Sequence, residues 1–589
     1  MVDQELEVGI NCSHFCVYGA TGTLDLLGAD WEAYYTYQNF HQAQVTRNYI
    51  NMLAVENAFD VEAGAGIDVN GTQYRCKDEI ARQLGCVPLN MFGPNSITEG
   101  AADYIRQNEK NTYGTTYHGY AFNLTNIPLY ELPAGEILMA GGIEIVDLAG
   151  YETVDGLTEA GGSSGNPRLS TKGSYDSRDI YAEISIPLLA DLPGFQELNV
   201  DYAYRATSYS QFDSESVDRL AIKWKPINDL TIRATDSTSY KAPTISDLYF
   251  GGGGDFPTYV DPCEQNQFST YTGVQRQTAF AQCAEEGIDA NTYSTENNQI
   301  LELEVGNPNL TPEAGKNQTY GIVWEPTSIS FLEAVDFRMA VDKFEMEIAN
   351  AVVGSGVAAT LNGCYLDGNQ GSCALIERSY GGDITSVRTA NLNSAAIDLF
   401  KGTDFSFNMT FEDVAMIGGS IEVDLIGTHF EENVTVTATG ISEDVVGDCY
   451  NFGESCFNRD RVNLAVRWRN EDWNVGVSTR YLSEIPVQDG VVDYFSADGG
   501  AYGEGTYTQA QLDDIYDAYS IPDITYTYLN VGYRYSDSVQ LTLAVSNLFD
   551  KEPPYYKDFF GFVDPQIQTP QNTYDIVGRY FQVGFKLTL

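Results

Sequence analysis

Apolar and polar residues alternate in many short segments of this chain. In one of them, Leu220, Ile222 and Trp224 share one face. The charged residues Arg219 and Lys223 share the opposite face. A period of two residues is that of a β-strand, and no helical period produces it over this length. The segments are about ten residues long, the length of a tilted strand that crosses a bilayer. The pattern therefore predicts an all-β chain whose strands each have one apolar and one polar face.

Short and long connections alternate between the predicted strands. Short ones are predicted near residues 27–30, 124–135, 188–195, 226–229, 326–330, 412–417, 471–472 and 536–538. Longer ones are predicted at 40–113, 146–178, 239–316, 348–383, 432–459, 483–523 and 549–577, with a brief one near 209–216 on the same side. A soluble sandwich has no reason to sort its loops in this way, whereas membrane barrels have short periplasmic turns and long extracellular loops.

The composition agrees with a membrane barrel. The chain has 40 Tyr and 55 Gly among 589 residues, and Tyr suits the aromatic girdles at the two edges of a bilayer. No run of about 18 apolar residues occurs, so the sequence predicts no transmembrane helix. Because only helices and closed barrels satisfy their backbone groups inside lipid, a closed β-barrel is the remaining way for this chain to span a bilayer.

The formal net charge is −51 at pH 7, which disfavours a nucleic acid partner because phosphate binding needs basic surface. The sequence has no nucleophile elbow, no phosphate-cradling glycine loop and no zinc-peptidase box, so it predicts neither an enzyme nor a cofactor. Acidic pairs such as Glu285 and Glu286 are interpreted as solvated loop charges rather than as a glycosidase dyad.

The ten cysteines fall into five local couples in polar segments. Such couples indicate loop-closing disulfides, which persist in an oxidising compartment outside the cytosol. Metal binding is the alternative, but zinc sites want a second Cys or His couple at short spacing. The four histidines do not supply one, although His14 lies between the first two cysteines. We therefore predict no metal and five disulfides, which are Cys12–Cys16, Cys76–Cys86, Cys263–Cys283, Cys364–Cys373 and Cys449–Cys456.

About 17 strands are predicted, from a first strand near Val17–Leu26 to a last one at Gly578–Leu589. Both of these run toward the side of the short turns. Single-chain bacterial barrels have an even number of strands with both termini in the periplasm. We therefore expect an odd number of strands to be missing at the N-terminus, about five if the full barrel has the 22 strands of plugged transporters. The absence of a signal peptide before residue 17 has the same explanation.

Five segments resemble stretches of TonB-dependent outer-membrane receptors. One reads Tyr-Lys-Ala-Pro followed by Leu-Tyr, another reads Asn-Pro-Asn-Leu before a strand, and the last two resemble the family's C-terminal hairpin. In this order and at this spacing they cover the chain from about residue 110 to its end. The segments are Ala234–Tyr249, Gly306–Glu313, Thr319–Pro326, Val545–Lys551 and Gly578–Leu589.

The resemblance implies an outer-membrane receptor that captures a scarce nutrient for TonB-energised uptake. Residues 1–589 are then part of the β-barrel, without the plug, the signal peptide and the first strands. The implied partners are outer-membrane lipid, a small-molecule or oligosaccharide ligand, and the TonB complex through the missing N-terminal part. Two alternatives stay open, which are a passive porin or adhesin barrel and a secreted, disulfide-bonded β-sandwich.

The ligand class is inferred from one loop. We call the Tyr-Lys-Ala-Pro segment and the Asn-Pro-Asn-Leu segment the two boxes. Haem importers of the family place a His between the two boxes, and residues 244–305 contain none. Acidic loops repel an anionic ferric siderophore at long range, so a glycan is favoured and a siderophore comes next. The candidate ligand-binding residues are Phe250, Phe256, Tyr259 and Tyr271. Packing of these rings within the loop is the favoured alternative, since buried aromatic residues usually serve as anchors.

Basic residues on the polar faces of the strands stand out against the acidic total. Their predicted role is structural, namely pairing with carboxylates of the wall or with the plug, and a role in the substrate path is the minority interpretation. They are Arg205, Arg219, Arg233, Arg467 and Arg534.

Overall fold

The structure is a computed structural model. It describes residues 6–24, 28–69, 71–295, 298–326, 335–395, 397–412, 414, 417–436, 442–450, 455–487, 517, 519–556 and 569–588. For residues 6–14, 442, 443 and 450 it describes the backbone alone.

The described part of the chain contains strands of very different length. In chain order they are β1 Leu6–Leu24, β2 Ala29–Ile50, β3 Val61–Val69, β4 Thr72–Cys76, β5 Arg106–Leu132, β6 Gly135–Thr153, β7 Thr171–Leu192, β8 Phe195–Tyr209, β9 Glu215–Ile227, β10 Leu230–Lys241, β11 Gly253–Asp255, β12 Leu301–Val305, β13 Glu313–Trp324, β14 Val335–Ala349, β15 Val352–Gly354, β16 Ile376–Arg378, β17 Ile384–Asn393, β18 Asp398–Phe411, β19 Ser420–Val436, β20 Ser442–Asp444, β21 Asp448–Tyr450, β22 Ser455–Phe457, β23 Asp460–Arg469, β24 Trp473–Leu482, β25 Ile524–Ser536, β26 Val539–Ser546 and β27 Tyr580–Leu587.

The helices are short and lie in the long loops. They are α1 Met52–Phe59, α2 Glu79–Gln83, α3 Glu99–Ile105, α4 Gly156–Glu159, α5 Ile245–Tyr249, α6 Gln265–Phe268, α7 Gly273–Glu285, α8 Gly356–Tyr365 and α9 Gln370–Cys373. None of these described helices has the length and apolar character that a membrane span requires.

Seventeen strands form one continuous antiparallel sheet, which we call the wall. Their order is β1, β2, β5, β6, β7, β8, β9, β10, β13, β14, β18, β19, β23, β24, β25, β26 and β27. The short β20 pairs with the end of β19 as an eighteenth member. The predicted all-β class and strand number are confirmed. The sandwich alternative is wrong, because each wall strand pairs with the next in a single layer.

The register keeps the two faces of the wall apart. Ile222 of β9 pairs with Ala234 of β10, and Lys223 pairs with Arg233, so apolar positions lie beside apolar ones and basic beside basic. Ile222 is 40% exposed while its neighbour Ala221 is 8% exposed. The apolar face is thus open to its surroundings, as in a membrane barrel, where the apolar face meets lipid and the polar face lines the lumen.

Several strands extend further than their sequence pattern indicates. β1 begins at Leu6 rather than near Val17, and β2 and β5 extend well into the predicted loop 40–113. The added parts of β2 and β5 are mostly polar, and alternation is hard to detect where both faces contact water.

The predicted connection at 124–135 is wrong, since β5 continues to Leu132 and only residues 133–134 turn. Pro128 suggests a strand end, because it cannot donate a ladder hydrogen bond. Here the register with β6 shifts on either side of Pro128, and Asn126 has a φ of 56°. Such bulges accommodate a proline without ending the strand.

Four of the five predicted cysteine couples are disulfides. All four lie in long loops. Those loops leave the wall at the same end, because they follow the second, eighth, tenth and twelfth strands of the antiparallel sheet order. The bonds are Cys76–Cys86, Cys263–Cys283, Cys364–Cys373 and Cys449–Cys456.

The prediction of a fifth disulfide, Cys12–Cys16, is wrong. Cys16 is a free cysteine, and the side chain of Cys12 lies outside the described residues. Both lie on β1, where four residues of strand separate their Cα atoms by roughly 13 Å. A disulfide needs Cα atoms within about 7 Å, so the predicted Cys12–Cys16 bond cannot form on this strand.

Candidate functional site

Two long loops of the wall, residues 242–312 and 350–397, fold together into one unit that we call the loop cap. β12 from the first loop pairs in parallel with β17 from the second. Strands β11, β15 and β16 complete a five-stranded sheet around this pair. Parallel pairing requires a long connection, and here the connection passes through β13 and β14 of the wall. The cap is therefore anchored to the wall at both ends of each loop.

The two boxes of the resemblance meet at the base of the cap. Thr244 and Asp247 form a reciprocal capping box at the start of α5, with donor–acceptor distances of 2.8 and 3.1 Å. The backbone N–H of Asn307 donates to the carbonyl oxygen of Asp247 at 2.8 Å. A Cβ on Gly306 would lie 2.4 Å from the backbone nitrogen of Phe250, so only glycine permits this approach. The boxes thus fix where the cap leaves the wall.

The cap has its own hydrophobic core. Both of its disulfides, Cys263–Cys283 and Cys364–Cys373, belong to or pack against this core. Side chains from both loops meet there, so neither loop can fold in this way alone. The most completely enclosed members include Phe268, Ile300, Leu361, Tyr365 and Val387.

A buried ion pair joins the two loops of the cap. Nη1 and Nη2 of Arg378 donate to the two carboxylate oxygens of Asp261 at 2.6 and 2.8 Å. The Arg378 side chain is 7% exposed and that of Asp261 is 0% exposed. Glu286 lies 2.8 Å from Nε of Arg378 and accepts the hydroxyl of Tyr365 at 2.6 Å. Burial acts to lower the pKa of Arg378, but the hydrogen bonds and charge of Asp261 outweigh it and raise the pKa above its usual value.

The four aromatic residues predicted to bind ligand have different surroundings. Tyr259 and Tyr271 are half-buried against the core of the cap, and burial raises the pKa of both hydroxyls. Phe250 packs over Gly253 after α5, and Phe256 is 45% exposed. Packing within the loop is therefore confirmed for the two tyrosines. A ligand-binding role for the four residues stays a prediction.

A groove of about 600 Å³ runs beside α7 on the cap. The guanidinium carbon of Arg276 lies 4.6 Å from the centroid of the Phe268 ring. The ring of Phe280 lies 6.3 Å from that of Phe268, centroid to centroid, and is half exposed. The amide side chains of Gln277 and Asn291 complete the lining.

Sequence reasoning missed this groove, although one signal was present. Residues 242–312 contain ten acidic residues and a single base, Arg276. A lone cation among so many carboxylates marks a position with a special environment.

A second cavity of about 1030 Å³ lies against the polar face of the wall, between β8 and β19. Its lower part is charged, with Arg233 donating to both oxygens of Asp342 at 2.8 and 2.7 Å. Its other part is aromatic, where Phe400 contacts Phe344 and Phe430 at centroid distances of 5.3 and 5.5 Å. The polar face of the wall is thus a lumen surface with both charged and aromatic areas.

The predicted pairing of lumen cations with wall carboxylates is confirmed. Arg205, Arg219, Arg233 and Arg467 each lie within ion-pair distance of carboxylates on the wall. Arg534 instead donates to the backbone carbonyl oxygen of Glu471 in a short turn. The partners of these five cations are therefore groups of the wall itself.

Comparison with known proteins gives one family match. The family model described as TonB dependent receptor-like, beta-barrel matches residues 17–548, which is most of the chain. No curated protein matches the chain significantly.

Several solved structures resemble the chain. The siderophore receptor PirA from Acinetobacter baumannii is 14% identical, with a TM-score of 0.49, over 95% of this chain and 62% of that one. A mutant of the ferric enterobactin receptor PfeA from Pseudomonas aeruginosa, in complex with enterobactin, is 14% identical, with a TM-score of 0.48 and the same coverage. The hemophore receptor HasR from Serratia marcescens is 12% identical, with a TM-score of 0.41, over 91% of this chain and 68% of that one. The chain thus spans less than two thirds of the length of the first two receptors.

Proposed function

The chain belongs to the TonB-dependent receptor-like β-barrel family, and from this premise we propose that it forms the wall and loop cap of a nutrient receptor. Barrels of this family lie in the bacterial outer membrane, and so does this chain. The proposed activity is capture of a scarce nutrient by the long loops, followed by its passage through the lumen. We propose that the complete receptor draws the energy for uptake from the TonB complex.

One observation carries this proposal, namely the sidedness of the wall. The disulfide-bonded loops all leave the same end of the sheet. Disulfides persist outside the cytosol, and the loops that contain them are the long ones, which in membrane barrels face the exterior, where ligand arrives. The polar face of the wall extends from these loops toward the short turns and contains ion pairs. A folded, rigid cap at the entrance suits selective capture better than unhindered diffusion through a porin.

We further propose that the ligand is a glycan. Ten carboxylates in residues 242–312 against one base give this loop a strongly negative potential, which repels anionic ferric siderophores. An uncharged oligosaccharide experiences no such repulsion and binds through hydroxyl hydrogen bonds and ring stacking.

A binding survey with the purified chain in detergent tests this proposal. Neutral oligosaccharides of defined linkage and a ferric catecholate siderophore are compared at low and high salt. We expect at least one oligosaccharide to bind with an affinity that salt changes little, because salt screens only interactions between charges. Binding of the ferric siderophore in preference to every glycan would contradict the proposed ligand class.

A further inference from the structure

We propose that the groove beside α7 is a glycan subsite, in which one sugar ring stacks on Phe280 and hydrogen-bonds to Arg276, Gln277 and Asn291. The inference rests on the proposed function and assigns to its ligand a particular place on the cap. That place differs from the four aromatic residues that the sequence indicated.

The groove combines an aromatic surface with polar groups, which is the chemistry that sugar rings need. Phe280 is 50% exposed, whereas Phe268 beneath it is 2% exposed. Water contact with a half-exposed aromatic ring is unfavourable, and the free energy falls when the apolar face of a sugar covers the ring. The two amide side chains supply both donors and acceptors for hydroxyl groups.

Arg276 is available to a ligand in a way that most basic residues of this chain are not. It is the sole base of residues 242–312, yet among the described residues no carboxylate lies within ion-pair distance of it. Its guanidinium instead lies over the ring of Phe268 at 4.6 Å. Stacking fixes the plane of the guanidinium and leaves its N–H donors free at the edge.

The surroundings favour hydroxyl groups over anions as the partners of this guanidinium. One positive charge does not reverse the negative potential of ten carboxylates in the same loop. A planar fork of N–H donors can bind two adjacent hydroxyl oxygens of a sugar at once, in the bidentate manner that it uses with carboxylates. The groove is therefore suited to an uncharged ring with neighbouring hydroxyls.

The groove is also held rigidly. Cys283 near the end of α7 is bonded to Cys263, and both are fully buried in the core of the cap. Ala279, on the same helix, is 0% exposed. A site that is formed before the ligand arrives loses less entropy on binding.

Binding measurements on single-residue variants of the purified chain test this inference. The probes are neutral malto-, cello-, xylo- and laminari-oligosaccharides and, separately, a ferric catecholate siderophore. We expect Phe280→Ala and Arg276→Gln each to weaken binding of the same oligosaccharide by about tenfold or more. Arg276→Lys keeps the charge but loses the planar fork, so it should weaken binding as well. Val274→Ala is the matched control, because Val274 is 76% exposed on the same helix and does not line the groove.

The outcomes separate this inference from the proposed function. If an oligosaccharide binds and both groove variants bind it like the unaltered chain, the subsite is wrong and the glycan receptor stands. If none of the oligosaccharides binds, or if only the ferric siderophore binds, the glycan ligand and the subsite are both wrong.

Discussion

Arg378 shows how a single residue determines the shape of the loop cap. It lies on β16 in the second loop, and its carboxylate partner Asp261 belongs to the first. Both side chains are almost completely removed from solvent. Burying two charges costs free energy that is recovered only when the geometry is good and the remaining groups are hydrogen-bonded. The two parallel contacts and the added acceptor Glu286 meet that condition.

Replacing Arg378 alone should therefore destabilise the cap. Arg378→Met leaves the buried carboxylate of Asp261 without its cationic partner and with only the backbone N–H of Cys263 as a donor, and the expected loss is about 3–5 kcal/mol. The double variant Asp261→Asn with Arg378→Met removes both charges and should lose clearly less. The rate of limited proteolysis within residues 242–312 measures this stability. Equal rates for the single variant and the unaltered chain would contradict a stabilising role for the pair.

Sequence patterns predicted the cap residues unevenly. The two cysteine couples of the cap are correctly predicted because local couples in polar loops have few other uses. Packing is the favoured prediction for the rings of Tyr259 and Tyr271 because buried aromatic residues usually serve as anchors. Both rings do pack against the core of the cap. Arg276 was missed because its environment depends on the ring of Phe268, which it contacts only after the loop has folded.

At the level of elements, the wall strands were the most predictable part. Residues 219–225 of β9, apart from Ala221, and 230–235 of β10 alternate between apolar and polar side chains because one face contacts lipid and the other the lumen. The cap was not predictable, since β12 pairs with β17 from a loop that follows two further wall strands. β12 itself alternates between apolar and acidic residues, but alternation predicts a strand without indicating which distant strand it pairs with.

Removing one disulfide should loosen the cap and leave the wall intact. The Cys263–Cys283 bond spans 20 residues, and breaking a loop of that size costs about 3 kcal/mol. We expect the double variant Cys263→Ser with Cys283→Ser to lose amide protection in α7 and β12. The wall strand β9 should keep its protection, because its ladder bonds do not depend on the cap. Hydrogen–deuterium exchange followed by mass spectrometry measures both.

The matched control for this variant is Cys449→Ser with Cys456→Ser, which opens a disulfide in a different loop. It should leave the protection of α7 unchanged. An equal loss of protection in α7 for both variants would show that the cap is not an independent unit.

At the scale of the whole molecule, the wall is a single sheet whose two outer strands run in the same direction. Among the described residues, β1 pairs only with β2, and β27 pairs only with β26. In a sheet of 17 antiparallel strands the first and last are parallel. A closed antiparallel barrel would place an odd number of further strands between these two edges. The predicted total of 22 meets that condition and stays a prediction.

The most direct test of the whole account measures what each face of β9 contacts in a bilayer. Nitroxide labels are attached one at a time, through variants such as Ile222→Cys and Lys223→Cys in a Cys12→Ser, Cys16→Ser background, and the protein is reconstituted into lipid vesicles. Collision rates with oxygen, which dissolves in lipid, and with a water-soluble nickel chelate are then compared. We predict that positions 220, 222 and 224 favour oxygen and that positions 219, 221 and 223 favour the nickel chelate. Equal accessibility at alternate positions, or apolar positions shielded from both reagents, would contradict a wall that separates lipid from a wet lumen.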